Sequence, residues 1–247
     1  MKHTVEIVAH RGASRDAPEN TLTAVKLGWV QGADAVEIDV HLTADGEVAV
    51  IHDPTLMRTT GRNARVDETT LESIQKLDAG VWKGAAWRGE RVPTLGQVLA
   101  TVPKGRRLFI EMKAAEGLAP ALQRAVAASA VEAERIVLIS FDSVALREAK
   151  HALAGSRALF LADTPEGDPE KLPGLIRFCH EEGFDGLGVS AGWPIDAALV
   201  ERLRNENLEL HVWTINDMRR ARALADAGVA SITTDRPGWL REKLSDR

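Results

Sequence analysis

The chain has 247 residues and a net charge of −5, and its hydrophobic share of 45% and charged share of 27% exclude an intrinsically disordered chain. The mild negative charge argues against a nucleic-acid partner, because such proteins normally carry a basic domain or stripe. The single cysteine excludes an internal disulfide, and no apolar run is long enough to span a membrane, so we expect a cytoplasmic protein without stable membrane insertion.

Short β-branched segments alternate with helical segments eight times along the chain. The strands are predicted at 5–10, 35–40, 107–112, 135–140, 157–161, 185–189, 209–214 and 230–234. The helices are predicted at 20–31, 94–101, 120–131, 143–153, 169–182, 196–206, 217–227 and 237–244. Parallel strands need helical crossovers, and eight such units close into a barrel of about 250 residues.

The pattern therefore predicts an α/β protein, a (β/α)8 TIM barrel that forms one domain over residues 1–247. An open doubly wound sheet is the competing fold, but no Gly-x-Gly-x-x-Gly follows the first strand. A further short strand is predicted at 47–52, after the second strand of the barrel. The segment at about 53–93 is too long for an ordinary loop, so we expect an insertion over the C-terminal face of the barrel.

Acidic residues occupy inward-facing positions of two predicted strands. Glu37 and Asp39 alternate with apolar residues in the second strand, and Glu111 has the same place in the third. Buried carboxylates need pairing or a metal, and hard oxygen donors suit one divalent cation, Mg²⁺ or Ca²⁺. A lattice of ion pairs with lysine and arginine is the alternative explanation of this spacing.

Two histidines lie at C-terminal strand ends, where barrel enzymes keep their catalytic groups. Imidazoles titrate near neutrality, so His10 and His52 are candidates for a general acid and a general base; hydrogen-bonded structural histidines are the alternative. Arg11 and Lys113 add positive charge that suits a phosphate. Trp213, at the end of a later strand, offers either a flat apolar contact for a ligand or simple packing.

An ordered series of motifs resembles the glycerophosphodiester phosphodiesterase family. The motifs are His10-Arg11-Gly12, Pro18-Glu19-Asn20-Thr21, Glu37-Ile38-Asp39-Val40, Asp45-Gly46, His52-Asp53, Arg58-Thr59-Thr60-Gly61, Leu77-Asp78-Ala79-Gly80, Pro93-Thr94-Leu95, Glu111-Met112-Lys113, Ser140-Phe141, Trp213-Thr214 and Thr234-Asp235. They cover nearly the whole chain in order, which makes the set far more specific than His-Arg-Gly alone.

The resemblance implies a role for each matching position. It makes Glu37, Asp39 and Glu111 the metal ligands, His10 and His52 the acid–base pair, Arg11 and Lys113 phosphate contacts, Phe141 and Trp213 neighbours of the substrate's glycerol, and Glu19 a residue that orients Arg11 or touches the metal. The implied reaction hydrolyses a small-molecule glycerophosphodiester to an alcohol and sn-glycerol 3-phosphate, through a cyclic phosphate formed by the glycerol 2-hydroxyl. Either histidine fits either proton-transfer role.

Two other functions fit the same residues. One is a lysophospholipase D-type phosphodiesterase that acts on lysophospholipids, for which an exposed apolar rim would be the supporting feature. The other is a non-catalytic barrel that binds a phosphorylated ligand, for which a missing histidine or carboxylate would be expected. The alcohol head group and the oligomeric state are not specified by the sequence.

Overall fold

A computed structural model describes residues 5–113, 117–163 and 171–245. The strands are β1 Glu6–Ala9, β2 Ala35–Leu42, β3 Val48–Val50, β4 Arg107–Met112, β5 Ile136–Ser140, β6 Arg157–Ala162, β7 Gly186–Ser190, β8 Glu209–Trp213 and β9 Ser231–Thr234. Apart from β3, they form one parallel sheet that closes because β1 pairs with both β2 and β9. The predicted (β/α)8 barrel is confirmed.

Ten α-helices lie between or after the strands within the described residues. They are α1 Leu22–Val30, α2 Met57–Thr60, α3 Leu71–Gln75, α4 Leu95–Leu99, α5 Leu118–Ala127, α6 Ser143–Ala152, α7 Leu172–Glu182, α8 Ala197–Asn205, α9 Met218–Ala227 and α10 Pro237–Ser245. The predicted start of α7 at position 169 lies outside the described residues. Within the three described ranges, every helix is too short or too polar to cross a lipid bilayer.

The alternation of side chains along the strands produces two apolar layers. Val36, Ile38 and Val40 of β2 belong to the large core between the sheet and the surrounding helices. Inside the barrel, a smaller cluster includes Phe109 of β4. Because neighbouring residues of a strand point to opposite faces, the outward valines of β2 leave its carboxylates facing inward.

The segment between β3 and α4 contains α2, α3 and two single 3₁₀ turns, at Val81–Lys83 and Ala85–Trp87. It packs around its own buried apolar cluster, which includes Leu56 and Ile74. Strand β3 lies antiparallel to the C-terminal half of β2 and leads into this segment. The division of the chain into one domain with an insertion at about 53–93 stays a prediction.

Candidate active site

The C-terminal ends of the strands surround a cavity of about 210 Å³. It is lined by His10, Arg11, Glu37, His52, Glu111, Lys113, Ile139, Phe141, Leu161, Trp213, Thr214 and Thr233. Every site residue predicted from the sequence is in this lining except Asp39 and Glu19. A larger open groove of about 630 Å³ lies between α4 and α5, but it is lined mainly by alanine, glycine and aliphatic side chains. The smaller cavity, with its converging titratable groups, is therefore the candidate site.

Three carboxylates meet at one side of the cavity. Asp39 of β2 is directly opposite Glu111 of β4 in the parallel pairing, and Glu37 shares the inward face of β2. One oxygen from each of the three lies within 4.8 Å of the other two. Asp39 has no solvent exposure and Glu37 is 2% exposed, so these charges are placed in a poorly solvated environment.

Two cations compensate this cluster in part. The Lys113 ammonium contacts Glu111 and lies 3.1 Å from Asp39 Oδ1, and Arg11 Nε lies 3.1 Å from Asp39 Oδ2. The ion pairs that could explain the buried carboxylates without a metal are thus present. Two cations, however, do not balance the charge of three carboxylates. Burial and the neighbouring charge of Asp39 raise the pKa of Glu37 to about 8, so this carboxylate lacks sufficient positive charge around it.

The carboxylates fit a divalent cation. Glu37 Oε2 accepts a hydrogen bond from the Arg11 backbone at 2.8 Å, but its buried Oε1 has no hydrogen-bond partner in the described part of the chain. Oxygen ligands of Mg²⁺ or Ca²⁺ lie roughly 2.0–2.6 Å from the ion, so oxygens of one shell are separated by no more than about 5 Å. The observed spacing meets this limit.

Asn20 is a site residue that the sequence pattern did not reveal. Thr21 caps α1 by accepting a hydrogen bond from the Ala24 backbone, whereas the Asn20 side chain points to the carboxylates. Asn20 has a left-handed backbone, with φ of 58°, and its buried amide donates to Asp39 Oδ2 at 2.8 Å. The amide therefore holds Asp39 in place, and the Pro-Glu-Asn-Thr motif was the available signal.

His10 is held by an acidic partner from the other end of the chain. His10 Nδ1 lies 2.6 Å from Asp235 Oδ1, across 225 positions. Burial opposes protonation of His10, but the hydrogen bond to Asp235 and the negative charges of Glu37 and Asp235 together outweigh it and raise the pKa of the imidazole. Asp235 lies just before α10, and its carboxylate also accepts hydrogen bonds from Ser14 and Asn216. The other ring nitrogen, Nε2, is left for chemistry in the cavity.

His52 has the equivalent arrangement with its neighbour in sequence. His52 Nδ1 lies 2.7 Å from Asp53 Oδ1, and a hydrogen bond from Arg58 keeps the pKa of Asp53 well below its usual range. His41 lies in β2, where its Nε2 lies 3.0 Å from the backbone carbonyl oxygen of His52.

The opposite wall of the cavity is apolar. Phe141 and Trp213 meet edge to face, with ring centroids 5.8 Å apart at an interplanar angle of 87°. Phe141 is 48% exposed, and Ile139 and Leu161 complete the wall. The cavity thus has a charged side for an anion and an apolar side for carbon atoms.

Gly12 is required by the turn that places Arg11, and its replacement gives a testable result. Gly12 has φ of 80°, and an added Cβ would lie 2.3 Å from the Ala24 carbonyl carbon. Gly46 has a similar φ of 76° but nothing within 4 Å. We therefore expect Gly12→Ala to lower the Tm by at least about 4 °C more than Gly46→Ala, because the Gly46 variant has backbone strain but no steric clash. Equal shifts in thermal denaturation would contradict this account.

Comparisons with known proteins agree with this geometry. A sequence model of the "Glycerophosphoryl diester phosphodiesterase family" matches residues 10–239. The chain is 34% identical over 246 residues to a glycerophosphodiester phosphodiesterase of Caldanaerobacter subterraneus, with 95% of each chain covered. It also resembles the structure of an Oleispira antarctica phosphodiesterase in complex with the product sn-glycerol-3-phosphate, with a TM-score of 0.88, 27% identity and 98% of each chain covered. A glycerophosphodiester phosphodiesterase structure from Agrobacterium tumefaciens has a TM-score of 0.78 and 28% identity, covering 96% of this chain and 99% of the other.

Proposed function

The chain belongs to the glycerophosphoryl diester phosphodiesterase family and is an enzyme of that class, and we propose that it hydrolyses glycerophosphodiesters to an alcohol and sn-glycerol 3-phosphate in a metal-dependent reaction. The observation that carries this proposal is the meeting of three carboxylates and two carboxylate-bound histidines around one cavity. The product in the Oleispira antarctica structure supports the same substrate class.

Glu37, Asp39 and Glu111 would hold one divalent cation, Mg²⁺ or Ca²⁺, since their oxygens lie within 4.8 Å of one another. A bound ion supplies positive charge that stabilises the charge developing on a phosphodiester in the transition state. Arg11 and Lys113 line the same side of the cavity and would contact the phosphate oxygens.

His10 and His52 would transfer protons at the reacting oxygens. One imidazole accepts the proton of the glycerol 2-hydroxyl as this oxygen bonds to phosphorus, and the other donates a proton to the alcohol oxygen as its bond to phosphorus breaks. The product of this step is a cyclic phosphate, and attack by water with the histidine roles exchanged opens it. Attack from within the substrate avoids bringing two molecules together, and Phe141 and Trp213 would hold the glycerol carbons.

Exposed apolar side chains favour a lysophospholipid substrate as the second candidate. Met57 and Trp82, in the segment between β3 and α4, are 54% and 40% exposed, and Phe141 at the cavity is 48% exposed. A binding barrel without catalysis is disfavoured, because all the acid–base and carboxylate residues are present and converge. The cytoplasmic location stays a prediction.

Assays with glycerophosphocholine and lysophosphatidylcholine test the proposal. We expect glycerophosphocholine to yield choline and glycerol 3-phosphate with the higher kcat/KM, since an acyl chain would have to extend beyond the cavity of about 210 Å³. Faster turnover of lysophosphatidylcholine would favour the second candidate.

Phosphorus NMR under single-turnover conditions should show a transient cyclic phosphate. If no cyclic phosphate is seen even when ring opening is impaired, direct attack by water is favoured.

A further inference from the structure

Arg58, in α2, binds two carboxylates that come from different parts of the chain. Its Nε and Nη2 donate to Asp53 Oδ2 and Oδ1 at 2.7 and 2.9 Å. Its Nη1 and Nη2 donate to Glu19 Oε2 and Oε1 at 2.9 and 2.8 Å. Both contacts are bidentate, which is the strongest and most directional form of an arginine–carboxylate pair.

Each of these carboxylates in turn binds a residue of the cavity. Asp53 Oδ1, which Nη2 of Arg58 contacts, is also the oxygen that lies 2.7 Å from His52 Nδ1. Glu19 Oε1, contacted by the same Nη2, also accepts a hydrogen bond from Arg11 Nη1 at 2.8 Å. One nitrogen of Arg58 therefore lies between the partner of His52 and the partner of Arg11.

The charges explain why a cation is needed at this point. Asp53 Oδ1 and Glu19 Oε1 both bind one nitrogen, so these two carboxylate oxygens lie at most about 6 Å apart. Without the guanidinium between them, the two carboxylates would repel each other and lose four hydrogen bonds. A lysine has a single ammonium group and does not reproduce a planar fork with two bidentate faces.

The segment between β3 and α4 also supports the guanidinium. Arg58 Cζ lies 6.0 Å from the ring centroid of Trp82, within reach of a cation–π interaction. The indole of Trp82 is itself oriented by a hydrogen bond to the Ala79 carbonyl oxygen at 2.9 Å. Arg58 is thus held from outside the cavity while it binds the partners of residues inside.

We propose that Arg58 is a positioning residue that orients His52 and Arg11 together, by binding Asp53 and Glu19 at the same time. Arg58 does not line the cavity, so it acts through these two carboxylates rather than on the substrate. The inference rests on the proposed function, because it assigns His52 to proton transfer and Arg11 to the phosphate. It predicts that loss of Arg58 affects both kcat and KM.

The test compares Arg58→Ala, Arg58→Lys and the control Arg65→Ala. Arg65 is an arginine of the same segment whose guanidinium pairs with Asp67 and Glu68, outside the cavity. We expect Arg58→Ala to lower kcat/KM for glycerophosphocholine by about 100-fold, with kcat reduced and KM raised, because small misplacements of reacting groups are costly. Arg58→Lys should recover little of this loss, and Arg65→Ala should match the unmodified enzyme. Added guanidinium ion should restore part of the activity of Arg58→Ala.

A measurement that does not need turnover separates this inference from the proposed function. Nitrogen-15 NMR of the histidine rings should show His52 protonated at Nδ1 in the unmodified protein and in Arg65→Ala, with this signature altered in Arg58→Ala. If no variant hydrolyses the substrate, the proposed function fails while the NMR result still decides the role of Arg58. The inference would be overturned if the His52 signals did not change in Arg58→Ala, or if Arg58→Lys kept full activity. It would also be overturned if Arg58→Ala lost activity only in proportion to a lower Tm and added guanidinium restored none of it.

Discussion

Removal of divalent metal is expected to lower kcat/KM for glycerophosphocholine by at least about 10³-fold. Glu37, Asp39 and Glu111 concentrate negative charge at one side of the cavity, and without the metal only Lys113 and Arg11 would compensate that charge in front of an anionic phosphodiester. Dialysis against a chelator, followed by titration with Mg²⁺ or Ca²⁺, measures the loss and its recovery. The Tm should rise as the metal is added, because the ion binds the folded protein alone.

Neutral isosteres of the carboxylates provide the matched test. Glu37→Gln should weaken metal binding in calorimetry and remove most of the metal-dependent activity, since it removes a charge while keeping the side-chain shape. Glu47→Gln is the control, because Glu47 is exposed and lies outside the cavity lining. The contrary result would be full activity when the measured metal content is far below the enzyme concentration. It would show that the carboxylates serve only the ion pairs with Arg11 and Lys113.

Replacement of either histidine by glutamine is expected to reduce kcat by about 10²–10⁴-fold, the usual contribution of a general acid or base. His10 and His52 each have Nδ1 bound to a carboxylate, which orients the imidazole and leaves Nε2 for the substrate. Glutamine retains a polar side chain of similar reach but does not exchange a proton near neutral pH. Stopped assays under single-turnover conditions measure the chemical step directly.

The control for the histidine variants is His180→Gln. His180 lies on α7, is about half exposed and pairs with Glu206, away from the cavity. It should retain full kcat. The double variant His10→Gln/His52→Gln should lose little more than the worse single variant, because the two imidazoles act in one reaction and their effects are not additive. Turnover by either single variant at the unmodified rate would remove that histidine from the proposed acid–base pair.

The barrel and the inward carboxylates were predictable from the sequence. The periodic spacing of apolar residues predicts which residues of a strand share a face. In β2 the apolar residues are Val36, Ile38 and Val40, and they must pack against helices. Glu37 and Asp39 therefore had to face inward, and parallel strands place their C-terminal ends at one edge of the sheet. Position after a strand end was likewise enough to predict that His10 and His52 meet at one cavity.

Periodicity carries no information about what lies across that cavity. The pairing of His10 with Asp235 spans 225 positions, and Asn20 contacts Asp39 only because its backbone takes a left-handed turn. Arg58 binds both Glu19 and Asp53 from α2, and this helix of four residues is too short to show a periodic pattern in the sequence. Hydrogen bonds between distant side chains depend on closure of the barrel and on the path of the loops, so the tertiary structure alone determined which residues orient the proposed catalytic groups.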